Sequence, residues 1–310
     1  MTKFWRKKVI LFKTEATYGT DALPTGAVNA VRAKNVRLSP MEGTDVDLGH
    51  EVPWLGNQGS VPADLHVTLS FEVDLVGSGT AGQAPAFGPM LLACGCAETI
   101  DAGTSVTYNP VSSDMDAGTA YINIDGILFT SVGMRGTCDV VVNASGVPVL
   151  QFNFTGLYVP PSDSAAPVSD TSAWPDPKVA SHQNTPVFTI DGTPHVMRSF
   201  KLSQANEVEP RFLIGKEEVV ISDRAEMIEC QIEATTLAVF NPYNLAQAQA
   251  KVPLVLQHEA TAGRISTLSV PAAQVQRPDA PTEAQGIMES PLRFKPQPTF
   301  GNDQWTLTFT

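Results

Sequence analysis

Few residues in this chain are spaced as reactive groups are. Cys94-Gly-Cys96 brings two thiols within reach of a soft metal, but no His stands at zinc-ligand spacing and there is no C-x-x-C pair. The pair reads as a helix end with two small buried thiols in a reduced protein. Asp45-Val-Asp-Leu-Gly49 and Asp114-Met-Asp-Ala-Gly118 imitate the start of a calcium loop. Neither has the Glu that closes an EF-hand, and both read as turns. Glu72 and Asp74 have the residue types of a glycosidase pair, yet strand neighbours without an aromatic sugar platform do not make one. His258-Glu259 has no nucleophile motif beside it. There is no G-x-S-x-G, P-loop, G-x-G-x-x-G or H-E-x-x-H. The expectation is a protein without catalysis, metal or cofactor.

Charge is more informative than reactivity. The chain has 310 residues, with 20 Lys+Arg against 32 Asp+Glu and a net charge of -12. From Leu38 to Met134 there is no Lys or Arg, and this block holds 12 acids, so the remainder balances at 20 and 20. Such a balance argues against the basic footprint of a nucleic-acid binder. It fits either a solvated acidic surface or one that repels a polyanion. No apolar run approaches the roughly 20 residues of a membrane helix. The start, MTKFWRKKVILF, has too short an apolar stretch for an export signal.

The elements that must position these groups are strands. Val67 to Leu75 alternates, with Val67, Leu69, Phe71, Val73 and Leu75 on one face and Thr68, Ser70, Glu72 and Asp74 on the other. Met227 to Glu233 sets Ile228, Cys230 and Ile232 opposite Met227, Glu229, Gln231 and Glu233. Asn143-Ala-Ser-Gly146 reads as a hairpin turn between strands ending at Val142 and starting at Val149. The fold class is all-β with short flanking helices. Residues 159–186, rich in Pro and Ser, read as an extended linker. They divide the chain into units 1–158 and 187–310. Ser39 to Val61 reads as a long irregular loop.

The two halves share motifs in the same order. Arg37-Leu38-Ser39 is followed by Phe71-Glu-Val-Asp74, then Phe87-Gly-Pro-Met-Leu-Leu-Ala93, then Val149-Leu-Gln-Phe152. The second half has Lys201-Leu202-Ser203, Gln231-Ile-Glu233, Phe240-Asn-Pro-Tyr-Asn-Leu-Ala246 and Pro291-Leu-Arg-Phe294. The common F-x-P-x-x-L-A suits a helix start, where proline's missing N–H costs nothing. Phe87, Pro89 and Leu92, like Phe240, Pro242 and Leu245, are the expected helix-packing residues. The order points to an internal duplication.

This unit resembles the major tail tube protein of long-tailed, siphovirus-type bacteriophages. The resemblance rests on the segment Gly82 to Gly95 after an acidic strand and on the Ser39–Val61 loop before it. The opening adds to it, with a basic N-terminus, then Thr14 to Thr20 and a Pro24 turn. It covers most of the chain as a pattern. It implies β-sandwich units whose inner strands join into one continuous β-barrel on oligomerisation, and rings that stack into a tube through which DNA passes without specific binding. It also implies a virion protein assembled in the host bacterial cytoplasm. Its partners would be itself, a tape measure protein and tail terminator or distal-tail proteins. Six units ring such a channel. Two fused units per chain imply homotrimeric rings, and one unit with decoration implies hexameric rings.

An acidic lumen would repel phosphates, where each Lys or Arg contact would add a salt-dependent grip. Glu72, Asp74, Glu229 and Glu233 are the expected lumen acids. Val52, Pro53, Trp54 and Leu55 are the expected ring-stacking residues, since an exposed Trp beside Pro is costly unless assembly buries it. Two other readings stay open: a β-sandwich adhesin or carbohydrate-binding module, and a single-ring distal-tail or terminator protein.

Overall fold

A computed structural model describes residues 2–310. The first half contains β1 (Lys8–Thr14), β2 (Ala30–Val31), β3 (Ala33–Asp47), β4 (Ser60–Asp74), α1 (Gly88–Ala93), β5 (Cys96–Asp101), β6 (Ser105–Pro110), β7 (Gly118–Ile124), β8 (Ile127–Asn143) and β9 (Val149–Tyr158). A short β10 (Ser162–Asp163) follows. The second half contains β11 (Val187–Ile190), β12 (Thr193–Pro194), β13 (Met197–Ser203), β14 (Asn206–Leu213), β15 (Lys216–Arg224), β16 (Met227–Glu233), α2 (Pro242–Gln247), β17 (Lys251–His258), β18 (Ser266–Val275), β19 (Thr282–Ala284), β20 (Ile287–Pro296) and β21 (Thr306–Phe309). Alternating apolar residues and Gly/Pro punctuation thus give the all-β class with two short helices.

Strand pairing is antiparallel throughout, and the halves follow the same path. In the first, β1 pairs β7, β7 pairs β8, β8 pairs β9, β9 pairs β4, and β4 pairs β3. In the second, β11 pairs β17, β17 pairs β18, β18 pairs β20, β20 pairs β16, and β16 pairs β13. The repeated motifs fall on matching elements: β3 and β13, β4 and β16, the two helices, β9 and β20. One detail differs. If Leu38 corresponds to Leu202, their partners Leu69 and Ile228 correspond as well. The residues opposite those are Phe154 and Phe294, so Phe154 rather than Phe152 matches Phe294. A two-residue slip keeps every side chain on its face, which is why the motif hid it.

The inner sheets of the halves are joined. β8 pairs β13 from Asp139↔Ser203 to Asn143↔Ser199. One continuous sheet therefore runs β3-β4-β9-β8-β13-β16-β20. Its apolar face covers a single core that includes residues from both halves, with the rings of Phe71, Phe152 and Phe154 5.6–5.9 Å apart within it.

Three expectations change. Residues 159–186 carry little regular structure and are largely exposed, but they are anchored to the body at buried Trp174 and Ala180. Trp174 is buried, donates from Nε1 to the Ala30 carbonyl at 3.0 Å, and lies against Phe87. Arg32 donates to the Trp174 carbonyl at 3.0 Å, and Lys178 reaches buried Glu259 at 3.1 Å. Proline prevents ladder pairing, but side-chain donors satisfy the carbonyls instead. The Ser39–Val61 stretch is mostly hairpin, with Asp47 opposite Ser60, so Asp45 and Asp47 lie in a strand rather than a turn. Both faces of that arm are exposed, and no apolar alternation is needed to form it. In α1 the core-facing residues are Met90, Leu91 and Ala93, while Pro89 and Leu92 are half-buried. Leu92 falls nearly above Pro89 on the outer side of a short helix. In α2, Phe240 and Pro242 are buried and Leu245 packs partly against the core, with Asn241 capping Asn244 N at 3.0 Å. Cys94, Cys96, Cys138 and Cys230 are free and buried. Burial pushes the Cys96 and Cys230 thiols up to about 12.

Candidate functional site

The polar face of the seven-strand sheet is the candidate surface. Cross-strand register fixes its rows, because residues directly opposite each other share a face. Lys34 lies opposite Glu72, Glu72 opposite Gln151, and Gln151 opposite Asp139. A second row runs Val141, Lys201, Glu229 and Arg293. Further along, Gln231 faces Pro291 and Glu233 faces Glu289.

The expected lumen acids meet different fates. Glu229 and Glu233 are exposed. Glu72 is half-buried and accepts from Asn35 Nδ2 at 2.8 Å and Gln151 Nε2 at 3.0 Å. Asp74 is only 2% exposed and forms ion pairs with Lys34 and, at 3.5 Å, with Arg32. It is a structural ion-pair acid, not a free one. The two bases arrive from Arg32, between β2 and β3, and from Lys34 on β3, far from Asp74 in sequence.

The face as a whole is mixed in charge, not uniformly acidic. Lys34, Arg37, Lys201 and Arg293 share it with Glu72, Asp139, Glu229, Glu233 and Glu289. Lys201 Nζ lies 2.8 Å from Asp139, which also accepts from Ser203 Oγ at 2.6 Å. Glu289 accepts from Arg198 Nε at 2.7 Å and Gln231 Nε2 at 2.6 Å. Hydrogen bonding to the Arg198 guanidinium holds the Glu289 carboxyl below the usual range. Alternation located β4 and β16, but the bases come from strands that only tertiary pairing brings beside them.

Two hairpins project from matching points of the repeated path. The first is the β3–β4 arm. At its tip Trp54 is 68% and Leu55 103% exposed, Pro53 is exposed and Val52 half-buried. The second, β14–β15, lies between β13 and β16 as a separate two-stranded sheet, with Ile214 109% exposed at its turn. The arms touch where His66 and Phe212 rings lie 6.4 Å apart. Sequence reading missed the second hairpin, although Val208 to Leu213 and the Gly215 turn signalled it.

The other polar clusters are ion pairs and hydrogen bonds between remote segments. Glu259 is buried between Lys178 and Arg264, and His258 Nδ1 lies 3.0 Å from Thr185 Oγ1. Desolvation lowers the His258 pKa below its ordinary value. Among the described residues no group of three His, Cys, Asp or Glu could hold a metal ion, and no helix is long and apolar enough to cross a membrane. No curated protein matches the chain. The family model described as phage tail tube protein matches residues 5–296.

Proposed function

The chain belongs to the phage tail tube protein family, and on that premise we propose that three copies form each ring of a siphovirus-type tail tube. Family membership makes it a structural virion component that self-assembles into a tube and contacts other tail proteins. The adhesin, carbohydrate-binding and single-ring readings are not favoured by it. The observation that supports three copies is the repeated strand path, already joined through β8–β13. If each path is one tube unit, three chains supply six. The partners we propose are the tape measure, terminator and distal-tail proteins, with assembly in the host cytoplasm and no catalysis.

In this reading the polar sheet face lines the lumen. Its bases are met by neighbouring carboxylates or exposed beside them, which weakens their hold on phosphate. Exposed Glu229 and Glu233, with Glu72, then keep the wall from gripping the duplex. Asp74 does not belong to this set.

Negative-stain microscopy of the concentrated protein should show long tubes whose rings have three-fold symmetry. Isolated monomers or single rings would sink the tube reading, and strict six-copy rings would sink the stoichiometry. Reversing Glu72, Glu229 and Glu233 to Lys should leave tubes intact but slow DNA ejection from reconstituted particles by an order of magnitude or more at low salt, roughly as each added phosphate contact strengthens the grip. Unchanged ejection kinetics would remove these acids from the lumen role.

A further inference from the structure

Two strand edges of the inner sheet have no partner among the described residues. β3 pairs only with β4, and β19 pairs only with β20. Unpaired edges leave backbone N–H and C=O groups that another chain can pair. What each edge corresponds to within the repeated path identifies its partner.

β13 holds in the second half the place that β3 holds in the first, and β13 is paired on both sides, by β16 and by β8. The partner missing from β3 is therefore a strand that stands as the end of β8 does. That strand is present in the second half. β18 runs beside β20 as far as Val275 opposite Phe294, and Gln276 N donates to the Arg293 carbonyl at 2.9 Å. β19 resumes beside the same strand with Thr282 opposite Glu289. From 275 to 282 is seven steps against five from 294 to 289, so two extra residues bulge out between them. Pro278 and Pro281 lie in that stretch.

We propose that the free edge of β19 pairs antiparallel with the free edge of β3 on the next copy. Each chain would then repeat, between copies, the β8–β13 seam it makes within itself. This rests on the tube reading and specifies its lateral contact.

The register follows from the repeat. Phe154 corresponds to Phe294, so Val149 corresponds to Glu289. Val141 lies opposite Val149, and Thr282 lies opposite Glu289, so Thr282 corresponds to Val141. Val141 lies opposite Lys201, and Lys201 corresponds to Arg37. Thr282 of one copy therefore meets Arg37 of the next.

The internal seam is pinned by Lys201 and Asp139 at 2.8 Å. Arg37, the counterpart of Lys201, is exposed on the β3 edge, and Lys34 near it is already paired with Asp74. The two edges belong to different strands, so their pairing is head to tail. Such a heterologous contact forms a ring when its rotation closes.

The test is a cysteine pair, Arg37→Cys with Thr282→Cys, in the full chain. Directly opposite strand residues lie within disulfide range, and the native thiols are buried. Oxidised assemblies should lose the monomer band on a non-reducing gel to dimers and trimers, with the ladder ending at three. Thr44→Cys with Thr282→Cys, far out on the same arm, should stay monomeric. Tubes whose Arg37/Thr282 pair stays unlinked, or links less than the control, would overturn the seam and leave the tube reading standing. Failure of the unmodified protein to form tubes would strike that reading instead. Hydrogen exchange on the unmodified protein needs no substitution. Amides of Lys34–Leu38 and Thr282–Ala284 should slow by roughly tenfold or more on assembly, as newly paired edges do. Unchanged exchange there in assembled tubes would overturn the seam.

Discussion

Deleting Glu51–Gly56 is expected to leave a folded chain that no longer makes long tubes. The segment caps the β3–β4 arm, which leaves the core near Val67, the first residue of β4 that is buried. Seven residues from Ser60 to His66 span roughly 23 Å at about 3.3 Å each, so the tip stands well clear of the body. Leu55 there is wholly in water and Trp54 is two-thirds exposed. Covering a large apolar side chain yields about 1.5–3 kcal/mol, and every copy in a ring contributes one such tip. Removing it therefore subtracts several kcal/mol from each ring-to-ring contact while taking nothing from the core. Far-ultraviolet circular dichroism should be unchanged, and electron microscopy should show short stacks or free rings. Normal long tubes from the deletion protein would end the stacking role of this arm. The β14–β15 tip at Ile214 would then be the better candidate for the contact.

Phe87→Ala is expected to cost about 3–5 kcal/mol of stability, the range for a fully buried aromatic. Phe87 is 0% exposed and caps the start of α1. Its ring lies 6.2 Å from Trp174 and 5.5 Å from Phe309. Phe309 sits on β21, which pairs both β6 of the first half and β18 of the second. The cavity would thus open where helix, Pro-rich segment and last strand converge. Urea unfolding of the monomer should show one transition shifted to lower denaturant, because one core spans both halves. A loss below about 1 kcal/mol would mean the site collapses around the deletion. Two separated transitions would mean the halves unfold independently, contrary to a shared core.

Much of the site was legible as pattern and little of it as chemistry. Period-two alternation placed β4 and β16, and Glu229 and Glu233 do project from the exposed face of β16. The same rule placed Asp74 beside Glu72, and there it failed. Alternation says which side of a strand a residue leaves from; it does not say what waits on that side. For Asp74 it was Arg32 and Lys34. The block without Lys or Arg from Leu38 to Met134 suggested an acidic wall, yet Lys34, Arg37, Lys201 and Arg293 enter the same face from outside the block. A charge run in sequence becomes a charge patch only if its sheet neighbours carry the same sign. The Pro-rich stretch 159–186 misled for a related reason. Its composition fits a segment whose only strand is the two-residue β10, but composition does not report anchoring, and buried Trp174 with its indole donor fastens the segment down.

Local order was enough to determine the all-β class, the two helix starts at Pro89 and Pro242, the Asn143–Gly146 turn and the repeated order of motifs. Each depends on residues within a few positions of one another: strand pleat, proline at a first turn, a short hairpin loop. The tertiary structure alone decided that β8 joins β13, that β3 and β19 are left without partners, and which acids remain free. Those outcomes depend on which remote strands lie side by side. Backbone pairing selects such neighbours through hydrogen bonds that carry no side-chain label, so no single segment of sequence announces them.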